Sequence, residues 1–367
     1  MDALAEGDID EGTLVEDGKK IRYGLSDEDI AEKIRQCNPD AIGVSCLFAS
    51  LEKDMATVCR IAKEVNSEIV TIAGGHHVGS MPAGILELYP PVDFAVKGEG
   101  EETFTEVYDE LVNGGRNFEK VKGLCINNKG LSVYTEPRAL ISDLNTIPYP
   151  HYDLFELDIY FQHSSYPYSV EALNAKRRAT TVWERGCPRG CTFCSHNGMS
   201  RIDLQNIYGS GDRLKGEKRV RKIDEEEGTF QLPARWPSPQ YAVDNIKLLV
   251  DKYDCDFISI MDENMTSNLK WTKEFCTLYM DEGLDKILKW GTLGDAPSVA
   301  TKPSIIKTMQ DAGCAYISFG FESASDRVLN EDIQKGQLRS HLQTTINTLK
   351  EVGMTPITTF MIGNPTE

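Results

Sequence analysis

The sequence lacks three features that would assign it to other classes of protein. It has no run of about 18 apolar residues, so we expect no membrane-spanning helix. Its acidic N-terminus shows no basic-then-apolar signal pattern, so we expect a cytoplasmic protein. Positive charge is scarce, with 39 Lys and Arg against 57 Asp and Glu, and the net charge of −18 argues against binding to nucleic acid.

The first half of the chain alternates between helical and strand patterns. Ser26 and Asp29 form a capping box at the start of a helix that ends at Asn38-Pro39. Alternation of this kind is typical of an α/β fold with a parallel sheet. Buried strands are predicted at 40–46, 68–73 and 92–96, helices at 51–65 and 102–113, and a hairpin at 121–134.

The predicted strands of this half end in small and polar residues. The segments are Ser45-Cys46, Gly74-Gly75-His76 and Gly98-Glu99-Gly100. Ligands of parallel α/β sheets bind outside the carboxyl ends of the strands, and glycines let a ligand approach the backbone. Ordinary strand-to-helix turns contain the same glycines, so the spacing alone leaves both interpretations open.

A second series of alternating strands and helices begins near residue 179. Its spacing predicts a barrel or partial barrel whose working face is the carboxyl end of the strands. Residues 201–236 interrupt the alternation and are predicted to form an inserted loop, either a substrate lid or a solvated excursion. The predicted strands are 179–184, 257–261, 289–293, 316–321 and 355–362, and the predicted helices between them are 241–252, 271–282, 303–311 and 338–352.

Only three of the ten cysteines are clustered, namely Cys187, Cys191 and Cys194, just after the first strand of this series. Iron–sulfur clusters normally take four thiolate ligands, so three leave one iron with an open position. The alternative is a Cys3His zinc site that adds His196. Structural zinc sites usually assemble from two separated pairs of ligands, so the tight spacing favours iron–sulfur.

This CxxxCxxC loop, with Phe193 before its last cysteine, resembles that of the radical S-adenosylmethionine (SAM) superfamily. Three further segments resemble family segments near SAM, namely Met261-Asp262-Glu263-Asn264, Gly320-Phe321-Glu322-Ser323 and the stretch 360–367. The resemblance implies a 4Fe-4S cluster bound by Cys187, Cys191 and Cys194. The SAM contacts it implies are Phe193, Glu263 (or, in its place, Asp262), Glu322, Ser323 and Gly363.

Three segments of the first half resemble the cobalamin-binding domain of one large subgroup of this superfamily, at its loops around the corrin and the nucleotide tail. They are Gly43-Val44-Ser45-Cys46, Ala73-Gly74-Gly75-His76 and Lys97-Gly98-Glu99-Gly100-Glu101. The resemblance implies a flavodoxin-like (Rossmann-type) fold. None of the six histidines has Asp two residues before it, so a DxHxxG-type histidine ligand to cobalt is not supported. The implied cobalamin contacts are Ser45, Gly74, Gly75, His76, Gly98, Glu99 and Gly100.

The combined resemblance covers nearly the whole chain. It implies a cobalamin-binding domain at 1–140, a linker at 141–175 and a radical SAM core at 176–367 that forms a partial TIM-like barrel. The family pattern has another strand and helix before about residue 20 and a sixth barrel strand after Glu367. We therefore expect both domains to be incomplete and the chain to be a fragment of a longer protein.

The resemblance implies an enzyme that cleaves SAM to a 5′-deoxyadenosyl radical and transfers a methyl group from cobalamin to an unactivated carbon. It also implies an external electron donor and a small-molecule or lipid substrate. Three alternatives share some or all of the motifs: a cobalamin-dependent radical cyclase or rearrangement enzyme, a radical SAM enzyme with a vestigial cobalamin domain, and a non-catalytic corrinoid- or zinc-binding module. The sequence identifies neither the substrate nor a general base.

Overall fold

The structure is a computed structural model that describes residues 1–15, 20–128, 131–163, 170–194, 234–364 and 367. The described residues form two compact units that divide between Ser142 and Asp143. His196 and almost all of the predicted 201–236 insertion lie outside the described residues. No helix in the described ranges is both long and apolar enough to cross a bilayer.

The first unit begins with an antiparallel hairpin, β1 (Asp8–Val15) and β2 (Lys20–Gly24), which the sequence patterns did not predict. A single sheet follows in the order β3-β4-β5-β6-β7. Its first three strands are parallel, and the predicted hairpin β6–β7 joins β5 in antiparallel pairing. The sheet strands are β3 (Ala41–Ser45), β4 (Val70–Gly74), β5 (Phe94–Val96), β6 (Leu124–Asn128) and β7 (Leu131–Tyr134).

Local sequence signals explain the helices of this unit. The predicted capping box is confirmed, because the Ser26 hydroxyl accepts from the Asp29 N–H and the Asp29 carboxylate accepts from the Ser26 N–H. Val65 ends a helix whose buried face includes Met55 and Cys59. The helices are α1 (Asp27–Cys37), α2 (Glu52–Val65), α3 (His76–Ser80), α4 (Pro82–Leu88) and α5 (Glu101–Val112).

The second unit contains a five-stranded parallel sheet in which every strand pairs with its neighbour in the sequence, in the order β8-β9-β10-β11-β12. The five strands predicted for a partial barrel are confirmed. Sequential parallel strands place all their carboxyl ends on one rim. The strands are β8 (Arg178–Thr181), β9 (Phe257–Ile260), β10 (Lys289–Gly294), β11 (Cys314–Glu322) and β12 (Ile357–Phe360).

Helices connect these strands, and two more lie within the predicted linker. The predicted connecting helices are all confirmed, with ends shifted by a few residues. A π-helical turn at Val328–Asp332 follows β11. The helices are α6 (Leu157–His163), α7 (Val170–Asn174), α8 (Pro239–Tyr253), α9 (Leu269–Asp281), α10 (Ala296–Thr301), α11 (Ser304–Asp311) and α12 (Arg339–Glu351).

Aromatic side chains fill the core beneath this sheet. Trp290 and Phe275 are both fully buried, and their rings meet edge to face with centroids 5.4 Å apart. The indole N–H of Trp290 donates to the carbonyl of Ala312 at 2.8 Å, so its polar atom is satisfied. This packing makes the strands a rigid support for the loops on the rim.

Candidate active site

The three clustered cysteines lie on the loop that follows β8. Gly186 enters this loop with φ +83°, a conformation that glycine adopts without strain. Cys191 is buried, whereas Cys187 and Cys194 are half-buried. The N–H of Cys194 donates to the carbonyl of Cys191 at 3.1 Å and so closes a tight turn. The loop therefore presents its thiols at the carboxyl end of the first strand of the sheet.

Two sets of contacts anchor this loop to the same rim. The guanidinium of Arg189 forms a bidentate ion pair with the carboxylate of Asp295, which lies just after β10. The distance from Nε of Arg189 to Oδ1 of Asp295 is 2.8 Å. Beyond β11, the N–H of Thr192 donates to the Ile333 carbonyl at 2.9 Å and its hydroxyl to the Asp332 carbonyl at 2.8 Å. Both contacts were missed by sequence reasoning, because they join residues far apart in the chain.

The thiols share one electrostatic environment. Burial raises the pKa of Cys187 to about 12, and the neighbouring charges of Glu184, Cys191 and Glu263 add to the rise. Burial also raises the pKa of Cys191 to about 11, against the opposing charge of Lys335. Each thiol is thus close enough to a neighbouring cysteine to sense its charge, and metal binding would be needed to hold them as thiolates at neutral pH.

This donor set fits an iron–sulfur cluster. In a 4Fe-4S cluster each cysteine binds a different iron, so three cysteines would hold three irons and leave the fourth with an open position. Cys187, Cys191 and Cys194 lie on one loop, and each is at least partly buried. His196, the fourth ligand of the alternative zinc site, lies outside the described residues.

The carboxylates after β9 have different positions. Asp262 is completely buried, and its Oδ1 accepts the N–H groups of Trp183 at 2.6 Å and Glu184 at 3.0 Å. Its neighbour Glu263 is exposed, and its charge acts on Cys187. Of the two carboxylates predicted as alternatives, Glu263 is therefore the exposed one. Asp262 holds the backbone through Oδ1 only, and its buried Oδ2 has no hydrogen-bond partner among the described residues.

Glu322 at the end of β11 has an unusual backbone. Its φ is +58°, and the pairing of β11 with β12 shifts register beside it. A non-glycine residue in this left-handed region is strained, and such strain often marks functional sites. The Glu322 side chain is buried, and its Oε1 accepts a hydrogen bond from Nζ of Lys335 at 2.8 Å. Both charges act on Cys191, so the pair lies beside the cysteine loop.

The remaining predicted SAM contacts are Ser323, Gly363 and Phe193. Ser323 is buried, and its hydroxyl accepts the N–H of Ser325 at 3.1 Å. Gly363 follows β12 with φ +89° and has open space where a side chain would stand. Phe193 is half exposed on the cysteine loop. Lys335 was not predicted, although its place in the Gln334-Lys335-Gly336 turn after β11 was a usable signal.

A second buried carboxylate, Glu184, was also missed. It is 2% exposed, and its Oε2 accepts the N–H of Asn264 at 2.7 Å. Burial and the negative charge of Asp262 raise the pKa of Glu184 to about 9. Glu184 therefore carries a proton at neutral pH, three residues before the first cysteine of the loop.

In the first unit, the carboxyl ends of the paired parallel strands β3 and β4 lie side by side. Cys46 donates its N–H to the carbonyl of Gly74 at 2.8 Å, and its own carbonyl accepts the N–H of His77 at 3.2 Å. Gly75 has φ +92°, and a Cβ there would lie 2.7 Å from the Cys46 carbonyl oxygen. The structure thus brings the predicted residues Ser45, Gly74, Gly75 and His76 to adjoining strand ends.

Two apolar side chains are exposed beside these strand ends. Leu47 and Phe48 follow Ser45 with 55% and 64% of their surface exposed. Gly98, after β5, has φ +84° and no atom within 4 Å of a side chain built there. Glu99 is less available than predicted, because its carboxylate accepts the N–H of Ile141 at 2.7 Å. Gly100 caps the start of α5.

A polar network that was not predicted supports the β4 end. The ring Nε2 of His77 lies 2.6 Å from one carboxylate oxygen of Glu52, and the Tyr89 hydroxyl donates to the other at 2.6 Å. These hydrogen bonds, from Tyr89 first and His77 second, lower the pKa of Glu52. The network ties α2, α3 and the residue after α4 together beneath the glycine turn.

The fold and the cysteine loop define an α/β protein with a thiolate site on the carboxyl rim of a parallel sheet. Residues 182–367 match the family described as the Radical SAM superfamily, and the chain belongs to that superfamily. Residues 17–108 match the B12 binding domain. Together these matches imply a 4Fe-4S cluster, SAM and cobalamin as cofactors.

Curated relatives of known name cover most of the chain. It is 30% identical to the Uncharacterized methyltransferase PH0819 of Pyrococcus horikoshii, over 95% of this chain and 66% of the relative. It is 26% identical to the Cytidylyl-2-hydroxyethylphosphonate methyltransferase of Streptomyces wedmorensis, over 100% and 65%. It is also 26% identical to an Anaerobic magnesium-protoporphyrin IX monomethyl ester cyclase of Rubrivivax gelatinosus, over 92% and 54%.

Among solved structures, the fold matches the cobalamin-dependent S-adenosylmethionine radical enzyme OxsB. The TM-score is 0.65 and the sequence identity 16%, over 97% of this chain and 46% of that one. The likeness shows a shared fold. The chain spans less than two thirds of the length of the relatives described above and less than half of the OxsB chain.

Proposed function

We propose that this chain carries the cofactor-binding part of a cobalamin-dependent radical SAM methyltransferase that acts on an unactivated carbon. The observation that carries the proposal is the anchored loop of Cys187, Cys191 and Cys194 on the rim of the second unit, in a chain that also contains a B12-binding domain. When bound, the cluster with SAM would supply a carbon radical, and cobalamin a methyl group.

The residues of the second unit have distinct proposed roles. The three cysteines would hold the cluster and leave one iron free for the amino and carboxylate groups of SAM. Glu263, exposed near Cys187, would accept an N–H of the SAM amino group. Lys335 would donate to its carboxylate, and Glu322 would hold Lys335 in place. Phe193, Ser323 and Gly363 would complete the surface around SAM, with Gly363 leaving room for the nucleoside.

In the first unit, the strand ends would bind cobalamin. Ser45 and the glycines 74, 75, 98 and 100 would bring the backbone close to the corrin or its nucleotide tail, while His76 and Glu99 would flank it. The exposed Leu47 and Phe48 would contact its apolar parts. Because His77 is engaged with Glu52, we assign no cobalt ligand from this histidine.

The cellular context follows from charge and cysteine chemistry. None of the ten cysteines, all of which are described, forms a disulfide, which suits a reducing compartment such as the cytoplasm. The strongly acidic chain suits a small-molecule or lipid substrate rather than a nucleic acid. Reduction of a cluster requires an external electron donor, which we expect to be a separate protein.

Metal analysis tests the cofactor assignment first. The chain would be purified without oxygen, reconstituted with iron, sulfide and hydroxocobalamin, and desalted before analysis. About four iron and about one cobalt per chain would support the proposal. Cys191→Ala should lose the iron, whereas Cys37→Ala, an exposed cysteine on α1, should retain it. Zinc without iron would overturn the proposal.

A second function, radical cyclisation, is favoured by the cyclase relatives of this chain. Isotope transfer separates the two. The reconstituted chain would be supplied with reduced cobalamin and SAM labelled in its methyl group. Appearance of labelled methylcobalamin would support methyl transfer. Cleavage of SAM to 5′-deoxyadenosine without any labelled methylcobalamin would favour the cyclase.

A further inference from the structure

We propose that Arg189 and Asp295 form a positioning pair that fixes the Cys187 side of the cysteine loop and sets the charge beside the cluster. The inference rests on the proposed function, because it assigns the pair to a cluster bound by that loop. Arg189 is one of the variable positions of the CxxxCxxC loop, and Asp295 lies outside every segment from which the cluster was predicted.

The pair is a built site rather than a surface contact. The Asp295 side chain is 1% exposed and that of Arg189 is 21% exposed. Both nitrogens of the Arg189 fork are used, Nε on Oδ1 and Nη2 on Oδ2 of the carboxylate. Bidentate pairs of this kind hold a planar guanidinium in one orientation.

Asp295 is itself held rigidly at the start of α10. Its Oδ2 accepts the N–H of Ser298 at 2.9 Å and the Ser298 hydroxyl at 2.5 Å. Its own N–H donates to the hydroxyl of Thr266 at 2.6 Å. Because these contacts fix the carboxylate against α10 and the turn after β9, the position of Asp295 determines where Arg189 lies.

Arg189 transmits this position directly to a predicted ligand. It lies two residues after Cys187, so fixing its guanidinium constrains the chain beside that predicted ligand. Its guanidinium charge also acts on Cys191. Hydrogen bonds to ligand sulfurs and nearby charges are the means by which proteins tune the reduction potential of iron–sulfur clusters. Arg189 favours the reduced, more negative cluster, and Asp295 offsets that charge.

The charge argument predicts opposite effects for two substitutions. Asp295→Asn leaves the Arg189 charge without its counter-charge, so the reduction potential should become less negative. Arg189→Gln leaves a buried carboxylate near the loop, so the potential should become more negative. The double variant R189Q/D295N removes both charges and should return close to the wild-type potential. It also removes the unpaired buried charge if Arg189→Gln alone folds poorly.

Redox titration of the reconstituted cluster, followed by electron paramagnetic resonance, measures these potentials. Glu282→Gln is the matched control. It removes an exposed ion pair between Glu282, the residue that follows α9, and Lys247 on α8. Opposite shifts in the two single variants, with none in the control, would support the inference. Four iron per chain with identical potentials in all variants would overturn it and leave the proposed function standing.

The metal-free chain gives an independent readout. Iodoacetamide labelling with peptide mass spectrometry measures how fast each loop cysteine reacts. Asp295→Asn should speed the labelling of Cys187 several-fold, because the Arg189 guanidinium loses the carboxylate that holds it. The labelling rate of Cys37 should not change. Equal rates at Cys187 in both chains would overturn the positioning role. A wild-type chain that takes up no iron would overturn the proposed function, and with it the role of the pair at a cluster.

Discussion

Gly75 meets the backbone of Cys46 so closely that a side chain at residue 75 would collide with it. A Cβ there would lie 2.7 Å from the carbonyl oxygen and 2.9 Å from the nitrogen of Cys46. The φ of +92° also belongs to the region that other residues avoid. The backbone that follows β4 can therefore pass this close to Cys46 only with glycine at residue 75.

Gly75→Ala should destabilise the first unit and weaken cobalamin binding. The backbone of Gly75, with φ +92° and ψ 172°, is essentially restricted to glycine and should cost alanine about 1–3 kcal/mol. The clash with Cys46 should add about 1–3 kcal/mol. Gly114→Ala is the control, because Gly114 has φ +70° and open space around it, so it bears a backbone cost without a clash. Urea unfolding and hydroxocobalamin retention would measure both. Equal losses in the two variants would contradict the clash.

Lys335→Met should weaken SAM binding roughly tenfold or more, since hydrogen bonds between charged groups contribute about 1.5–3 kcal/mol. Lys335→Arg keeps the charge opposite Glu322 and should bind SAM more tightly than the methionine variant. Calorimetry with SAM and with its decarboxylated analogue would measure the effect. If Lys335→Met weakens both ligands equally, Lys335 does not bind the carboxylate.

Glu184 should make the metal-free chain less stable as the pH rises. Burial and the charge of Asp262 raise the pKa of Glu184 to about 9 from 4.5. Between those values the folded chain holds a proton that the unfolded chain has released, so the stability it contributes is present at low pH and is lost with rising pH. Glu184→Gln should therefore be more stable than wild type at pH about 8 and show a flatter pH profile. Glu282→Gln should leave the profile unchanged, and parallel wild-type and Glu184→Gln profiles would refute the assignment.

Trp290→Ala should destabilise the second unit by about 3–5 kcal/mol, because the ring is fully buried against Phe275 and its loss leaves a cavity. Ile287→Ala is the control, since Ile287 is 68% exposed and its removal should change stability by less than about 0.5 kcal/mol. Chemical denaturation followed by circular dichroism would compare them. An equally large loss of stability in Ile287→Ala would contradict the burial of Trp290 in the core.

The elements of the fold were predictable because their signals are local. The Ser26 capping box lies within four residues, and β9 is a short, mostly apolar run. Side-chain orientation at a strand end was not predictable. Asp262 and Glu263 are adjacent and chemically alike, yet one is buried and the other exposed, because the Asp262 carboxylate is held by the backbone N–H groups of Trp183 and Glu184, which are distant in the sequence.

The contacts that organise the site depend on topology. Arg189 and Asp295 stand 106 residues apart, and nothing in either local sequence identifies the partner. The same holds for Glu52 and His77, which meet only because α2 and α3 flank neighbouring strands. The thiolate ligands could be proposed because their spacing is itself the signal.

The sequential strand order has a consequence for synthesis of the chain on the ribosome. Thr192 is made 140 residues before its partner Asp332, and Arg189 is made 106 residues before Asp295. During that interval the newly made cysteine loop has neither anchor, although β8 and β9 can already pair. Domains generally fold as units during synthesis, so we expect the loop to become ordered only after Asp332 has been made. We therefore expect metal to be loaded after that point, when both anchors of the loop are present.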